Sequence, residues 1–219
     1  MPSDDFMERA GDEREMTAIA DDIDDLDDDH ADEEDTDTVT FASLGLPEEI
    51  LAAVTDMGFR VPTPIQAAAI PPLLELRDVV GIAQTGTGKT AAFGLPLLAI
   101  VDADERDVQA LVLAPTRELA MQSAQAIEDF AARTAILDVV PVYGGSPYGP
   151  QIGALKRGAQ VVVGTPGRVI DLIEKGALDL SNVRMLVLDE ADEMLRMGFA
   201  EDVETIASSA PDDRLTALF

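Results

Sequence analysis

Short apolar runs recur along most of this chain at Val79–Ala83, Ala110–Ala114, Leu137–Val142, Gln160–Val163 and Met185–Leu188. Their apolar positions are continuous rather than alternating, as expected of strands buried on both faces. Between them lie stretches with helical spacing: Lys89–Ile100, Thr116–Ala132 and Gly167–Lys175. Two more, Pro47–Met57 and Pro64–Leu74, come before the first strand. Strand and helix in alternation predict an α/β fold, a parallel sheet covered by helices on both faces. In such open sheets ligands bind beyond the carboxyl ends of the strands. No internal repeat is visible.

Residues 1–38 differ in composition from the remainder of the chain. The run Asp21-Asp22-Ile23-Asp24-Asp25-Leu26-Asp27-Asp28-Asp29 repels itself and offers little to bury, which predicts a disordered acidic tail ahead of one domain at 39–219. The one histidine, His30, lies in this tail without plausible metal-ligating neighbours.

Net charge changes the picture of possible partners. The chain carries 43 acidic against 15 basic residues, a formal charge of -28, where a nucleic-acid partner calls for a basic surface. Either nucleic acid is not the partner, or the surface is adapted to high salt, where self-repulsion is screened within about 3 Å at 1 M. Lysine occurs only at positions 89, 156 and 175, and the composition resembles that of salt-adapted, haloarchaeal proteins. Cysteine is absent, which excludes disulfides and thiolate metal sites. No apolar run is long enough for a membrane span and no basic-then-apolar leader opens the chain, so a soluble, cytoplasmic protein is expected.

Candidate chemistry begins at Ala83-Gln84-Thr85-Gly86-Thr87-Gly88-Lys89-Thr90, which follows a strand and opens a helix. Glycines let the backbone curl so that successive N–H groups point at phosphate oxygens, and the helix start adds partial positive charge. Lys89 is placed to reach the β- and γ-phosphates and the Thr90 hydroxyl to ligate Mg²⁺. Ala83 stands where the strict phosphate-loop pattern has its first glycine. The second half of such a site is an acidic pair after a buried strand, supplied by Asp189 and Glu190. Asp189 is expected to hold Mg²⁺, and Glu190 to orient or deprotonate the attacking water. Together these predict an ATPase or GTPase site.

Asp189-Glu190-Ala191-Asp192 spells DEAD, and its surroundings resemble those of the DEAD-box ATP-dependent RNA helicases of superfamily two. Phe41 with Gly58-Phe59-Arg60-Val61-Pro62-Thr63-Pro64-Ile65-Gln66 resembles the Q motif of that family. Pro115-Thr116-Arg117-Glu118-Leu119-Ala120 resembles motif Ia, Gly144-Gly145 the GG motif, and Thr165-Pro166-Gly167-Arg168 motif Ib. The resemblance covers about residues 41–219. It implies a RecA-like domain in which Gln66 reads the adenine edge and Phe41 stacks on the base, so that ATP is selected over GTP. It also implies that Thr116, Arg117, Gly145, Thr165 and Arg168 grip the RNA backbone without reading sequence, and that Asp192 couples this domain to a second one.

The chain ends Arg214-Leu215-Thr216-Ala217-Leu218-Phe219, short of the Ser-Ala-Thr of motif III. By the resemblance, the second RecA-like domain with its arginine finger is missing. This predicts that the chain alone binds ATP weakly, hydrolyses it very slowly and unwinds nothing. The complete enzyme is expected to couple ATP hydrolysis to local RNA unwinding by closing the cleft between two domains. Two other readings stay open: a naturally truncated, non-catalytic module for RNA or a protein partner, and a superfamily-two helicase acting on DNA. The tail reads most simply as a solubilising segment, with an autoinhibitory mimic of RNA as the sharper alternative.

Overall fold

A computed structural model describes residues 16–20, 39–84, 86–132 and 137–219. Seven parallel strands form one sheet. In chain order they are β1 (Thr17–Ala20), β2 (Val79–Ile82), β3 (Ala110–Leu113), β4 (Val139–Val142), β5 (Val161–Gly164), β6 (Met185–Leu188) and β7 (Leu215–Leu218). Their order across the sheet is β1-β2-β7-β6-β3-β5-β4, with every neighbouring pair parallel. Among the described residues a short 3-10 turn, Phe41–Leu44, precedes eight helices: α1 (Glu48–Asp56), α2 (Pro64–Leu74), α3 (Lys89–Ile100), α4 (Arg117–Ala131), α5 (Tyr148–Lys156), α6 (Pro166–Glu174), α7 (Ala191–Arg196) and α8 (Ala200–Ala207).

The apolar runs form strands because both of their faces are covered. Along β3, Ala110 and Val112 join one core while Leu111 and Leu113 join the other. The same division sends Val161 and Val163 of β5, and Met185 and Val187 of β6, to the first core. Val162, Leu186 and Leu188 go to the second. Residues of α1 to α4 share the first core, and residues of α6, α7 and α8 share the second. Burying a valine or leucine side chain contributes about 1.5–3 kcal/mol, so either face left in water would be costly.

Two buried glutamines close the amino ends of the central strands. The Gln109 amide donates to the carbonyls of Asp102 and Glu105 and accepts from Asp102 N–H. The Gln160 amide donates to Ala103 and Glu105 and accepts from Asp138 N–H.

One expectation changes. Thr17–Ala20, inside the segment predicted to be disordered, forms the edge strand β1 and pairs in parallel with Val79–Ile82. Its sequence, TAIA, is a short uncharged β-compatible stretch, and the neighbouring aspartates hid it in the average composition. Residues 1–15 and 21–38 of the tail, His30 and the acidic run included, lie outside the described residues.

Gly164 shows how tightly β5 and β4 meet. A Cβ there would lie 2.7 Å from the carbonyl oxygen of Val142, a backbone atom that cannot swing aside. Gly164→Ala is expected to destabilise the domain by about 1–3 kcal/mol, the usual range for an overpacked core site. Urea unfolding measures it, and an unchanged midpoint would contradict this packing.

Candidate nucleotide and RNA site

The phosphate loop leaves β2 and enters α3 through two left-handed glycines, Gly86 at φ +89° and Gly88 at φ +88°. Such angles strain a residue that has a Cβ, which is why glycines stand at both positions. The Thr87 hydroxyl donates to the Gln84 carbonyl at 2.7 Å and closes the turn. Ala83 and Gln84 lie on the strand side of the turn, Lys89 and Thr90 in the first turn of α3, and Thr85 outside the described residues.

Lys89 is buried, and its ammonium donates to Glu190 Oε1 at 2.9 Å. This pair joins the loop after β2 to the turn after β6, across the end of β7. Glu190 has φ +56°, a left-handed conformation costly for a residue with a side chain. The strand-to-helix turn holds it there: Glu190 caps the start of α7, and Ala191 N–H donates to the Phe219 carbonyl after β7 at 2.8 Å.

Asp189 is 6 % exposed at the end of β6. Burial pushes its carboxyl above the ordinary carboxylate range, and the Ser123 hydroxyl and the Lys89 ammonium pull it back. Ser123, on α4, donates to Asp189 Oδ2 at 2.9 Å. Sequence reasoning missed Ser123, because a serine in an otherwise apolar helical face looks like a tolerated small residue.

The donors fit Mg²⁺. Thr90 and Asp189 offer oxygen only, which suits a hard cation. Among the described residues no cluster of three or more acidic or imidazole side chains could hold a metal by itself.

Three residues expected to contact ligands are engaged with the protein itself. Phe41 is 2 % exposed and meets Phe59 edge-to-face with centroids 6.1 Å apart. It is a core residue here, with no face offered to a base. Gln66 is also buried, and both ends of its amide are engaged. Oε1 accepts from Thr63 N–H at 3.0 Å and Nε2 donates to the Gly88 carbonyl at 3.1 Å, so the amide ties α2 to the phosphate loop.

Arg168 is the third. Its guanidinium is buried and donates at 3.0 Å to both the Ser146 carbonyl and Gln151 Oε1. Tyr148 covers it, with the ring centroid 4.2 Å away. Arg168 braces the turn after β4 rather than facing solvent. Beside it the Lys175 ammonium and the Tyr148 hydroxyl hold the Asp171 carboxyl below its ordinary range.

The other residues expected at the RNA surface stand on one side of the carboxyl edge, past β3, β5 and β4. Thr116 caps α4, its hydroxyl accepting from Leu119 N–H at 3.3 Å. Arg117 is exposed and lies 4.9 Å from the Tyr143 ring centroid. Gly145 turns at φ +77°, and Thr165 precedes α6. Asp192, on α7, pairs with Arg196 at 2.5 Å on the surface.

Comparison with known proteins decides the family: the DEAD/DEAH box helicase model matches residues 63–219. The chain belongs to that family. It is 59% identical over 184 residues to an ATP-dependent RNA helicase DeaD from Haemophilus influenzae, covering 84% of this chain and 30% of the relative. The DeaD helicase of Escherichia coli is 58% identical over 180 residues, covering 82% and 29%. Among solved structures, a DEAD box protein from Methanococcus jannaschii superposes with a TM-score of 0.78 at 45% identity, over 82% of this chain and 49% of that one. A hypothetical ATP-dependent RNA helicase from Sulfolobus tokodaii gives 0.72 at 41% identity, over 80% and 50%. The chain thus spans about a third of those curated relatives and half of those solved chains. None of these similarities shows a salt-adapted source. No helix among the described residues is long and apolar enough to cross a membrane.

The Lys89–Glu190 pair gives this DEAD-box domain a measurable signature. Lys89→Met takes the cation from a carboxylate whose side chain is only 19% exposed and should destabilise the domain by about 1–3 kcal/mol. Adding Glu190→Gln to Lys89→Met should recover part of that loss. Thermal unfolding of the single and double variants reads the coupling, and strictly additive losses would deny the pair any energetic role.

Proposed function

We propose that this chain is the ATP-binding and RNA-gripping domain of a two-domain DEAD-box RNA helicase. The observation that carries the reading is the convergence of Lys89, Asp189 and Glu190 at the carboxyl ends of β2 and β6, beside a glycine loop shaped for phosphates. Thr116, Arg117, Gly145 and Thr165 lie further along the same edge, which supports a nucleotide and an RNA bound side by side.

Each residue then has a task. The loop's N–H groups and the start of α3 receive the phosphates. Lys89 exchanges the Glu190 carboxylate for phosphate oxygens, and Glu190, so released, accepts the proton of the attacking water. Mg²⁺, held by Thr90 and Asp189 with the nucleotide, would neutralise charge on the phosphates. Gln66 sits against the loop at Gly88 and would exchange its protein partners for the adenine edge. At the RNA side, backbone N–H groups at the starts of α4 and α6 contact phosphate oxygens, and Arg117 adds charge. Contacts of this kind carry no base sequence. Arg168 acts behind them by holding the turn that presents Gly145.

A second domain would bring the arginine that stabilises charge on the transferring group, worth roughly 10³–10⁵ in rate. The chain alone is therefore expected to bind ATP and turn it over very slowly. Titration with fluorescent ATP and GTP analogues tests the reading: binding should favour adenine, and Gln66→Ala should reduce that preference. Equal affinity for both bases in the wild-type chain would contradict adenine selection. RNA-stimulated turnover by this chain alone, at the rate of two-domain helicases, would contradict the division of labour.

A further inference from the structure

Ser123 breaks the habit of its own chain. Small hydroxyl side chains inside helices usually bond back to the carbonyl four residues earlier. Thr55 does so to Leu51 at 2.7 Å and Thr205 to Glu201 at 2.8 Å, and just past the end of α8 Ser208 and Ser209 bond likewise to Glu204 and Thr205. Ser123 instead donates across the domain to Asp189 Oδ2, 66 positions away in sequence, at 2.9 Å. It is also the polar member of an otherwise apolar buried face, with Ala120, Ala124, Ile127, Phe130 and Ala131. A hydroxyl at such a place costs desolvation unless it is paired, and here its partner is the carboxylate at the end of β6.

We propose that Ser123 is a positioning residue for the metal-nucleotide site: its hydroxyl fixes the rotation of the Asp189 carboxylate, so that the oxygens meet Mg²⁺ already oriented. The inference rests on the reading of Asp189 as an Mg²⁺-holding residue. A carboxylate has two equivalent rotations about its Cβ–Cγ bond and broad torsional freedom. Holding Oδ2 toward α4 removes that freedom before the ion arrives. Hydrogen bonds to metal-holding side chains commonly alter metal affinity by about 10–100-fold when removed.

Ser123 also gives α4 a second connection. The same helix starts at Thr116 and Arg117, the residues assigned to RNA, and reaches Asp189 less than two turns later. A shift of α4 at its RNA end would therefore move the donor that orients Asp189.

The test measures affinity of the 219-residue chain for fluorescent ADP with Mg²⁺ and with EDTA, for wild type, Ser123→Ala and Ser123→Thr. Wild type should bind more tightly with Mg²⁺. Ser123→Ala should lose about tenfold of that Mg²⁺-dependent gain while its affinity in EDTA stays unchanged, and Ser123→Thr, which keeps the hydroxyl, should retain more of the gain. Equal losses in Mg²⁺ and EDTA would mean a merely structural role and overturn the proposal. An undiminished gain in Ser123→Ala would overturn it as well, while leaving the nucleotide site standing. Absence of any Mg²⁺ effect in the wild type would overturn both this proposal and the assignment of Asp189.

Discussion

Strands β3, β5 and β6 are buried at every position, and a strand apolar on both faces is stable only between two layers of helix. Helical crossovers on both sides make all the strands parallel, so their carboxyl ends fall along one edge. Every polar motif then has one place to go. The phosphate loop follows β2, the Asp189–Glu190 turn follows β6, and the starts of α4 and α6 follow β3 and β5. The burial of a few valines and leucines thereby sets the distance between residues far apart in the chain.

At that edge the polar side chains are bonded to one another and to the backbone. Lys89 takes Glu190, Gln66 spans Thr63 and Gly88, Asp189 receives Ser123, and Arg168 is engaged by Ser146 and Gln151. A buried lysine or carboxylate left unpaired would be costly, so these bonds stabilise the edge. The same bonds define what a nucleotide must replace. On the proposed reading, a triphosphate would offer Lys89 several anionic oxygens in place of one carboxylate, and Glu190 would be released. Stability without ligand and readiness for ligand come from the same residues.

Much of this was legible in the sequence, for physical reasons that differ by element. The central strands and α3 were readable because burial on both faces leaves a continuous apolar run. The phosphate loop was readable because left-handed turns require glycine at Gly86 and Gly88. Strand β1 was hidden because four uncharged residues sit among aspartates, where composition speaks only for the average. Helix α5 carried little signal, since YGPQIGALK holds two glycines and a proline. Phe41, Gln66 and Arg168 show the limit most clearly. A motif gives residue type and order, whereas whether a side chain faces solvent or a neighbour depends on packing that no local pattern encodes. Ser123 was invisible for the same reason, its partner being on another element.

On the proposed reading, this edge would receive a nucleoside triphosphate by displacing Glu190 from Lys89. The most direct measurement is a crystal structure of the chain with Mg²⁺ and a non-hydrolysable ATP analogue. The phosphates should be cradled by the loop from Gln84 to Thr90, with Lys89 bonded to phosphate oxygens and Glu190 released toward the γ-phosphate. A nucleotide bound elsewhere, with the Lys89–Glu190 pair intact, would contradict it.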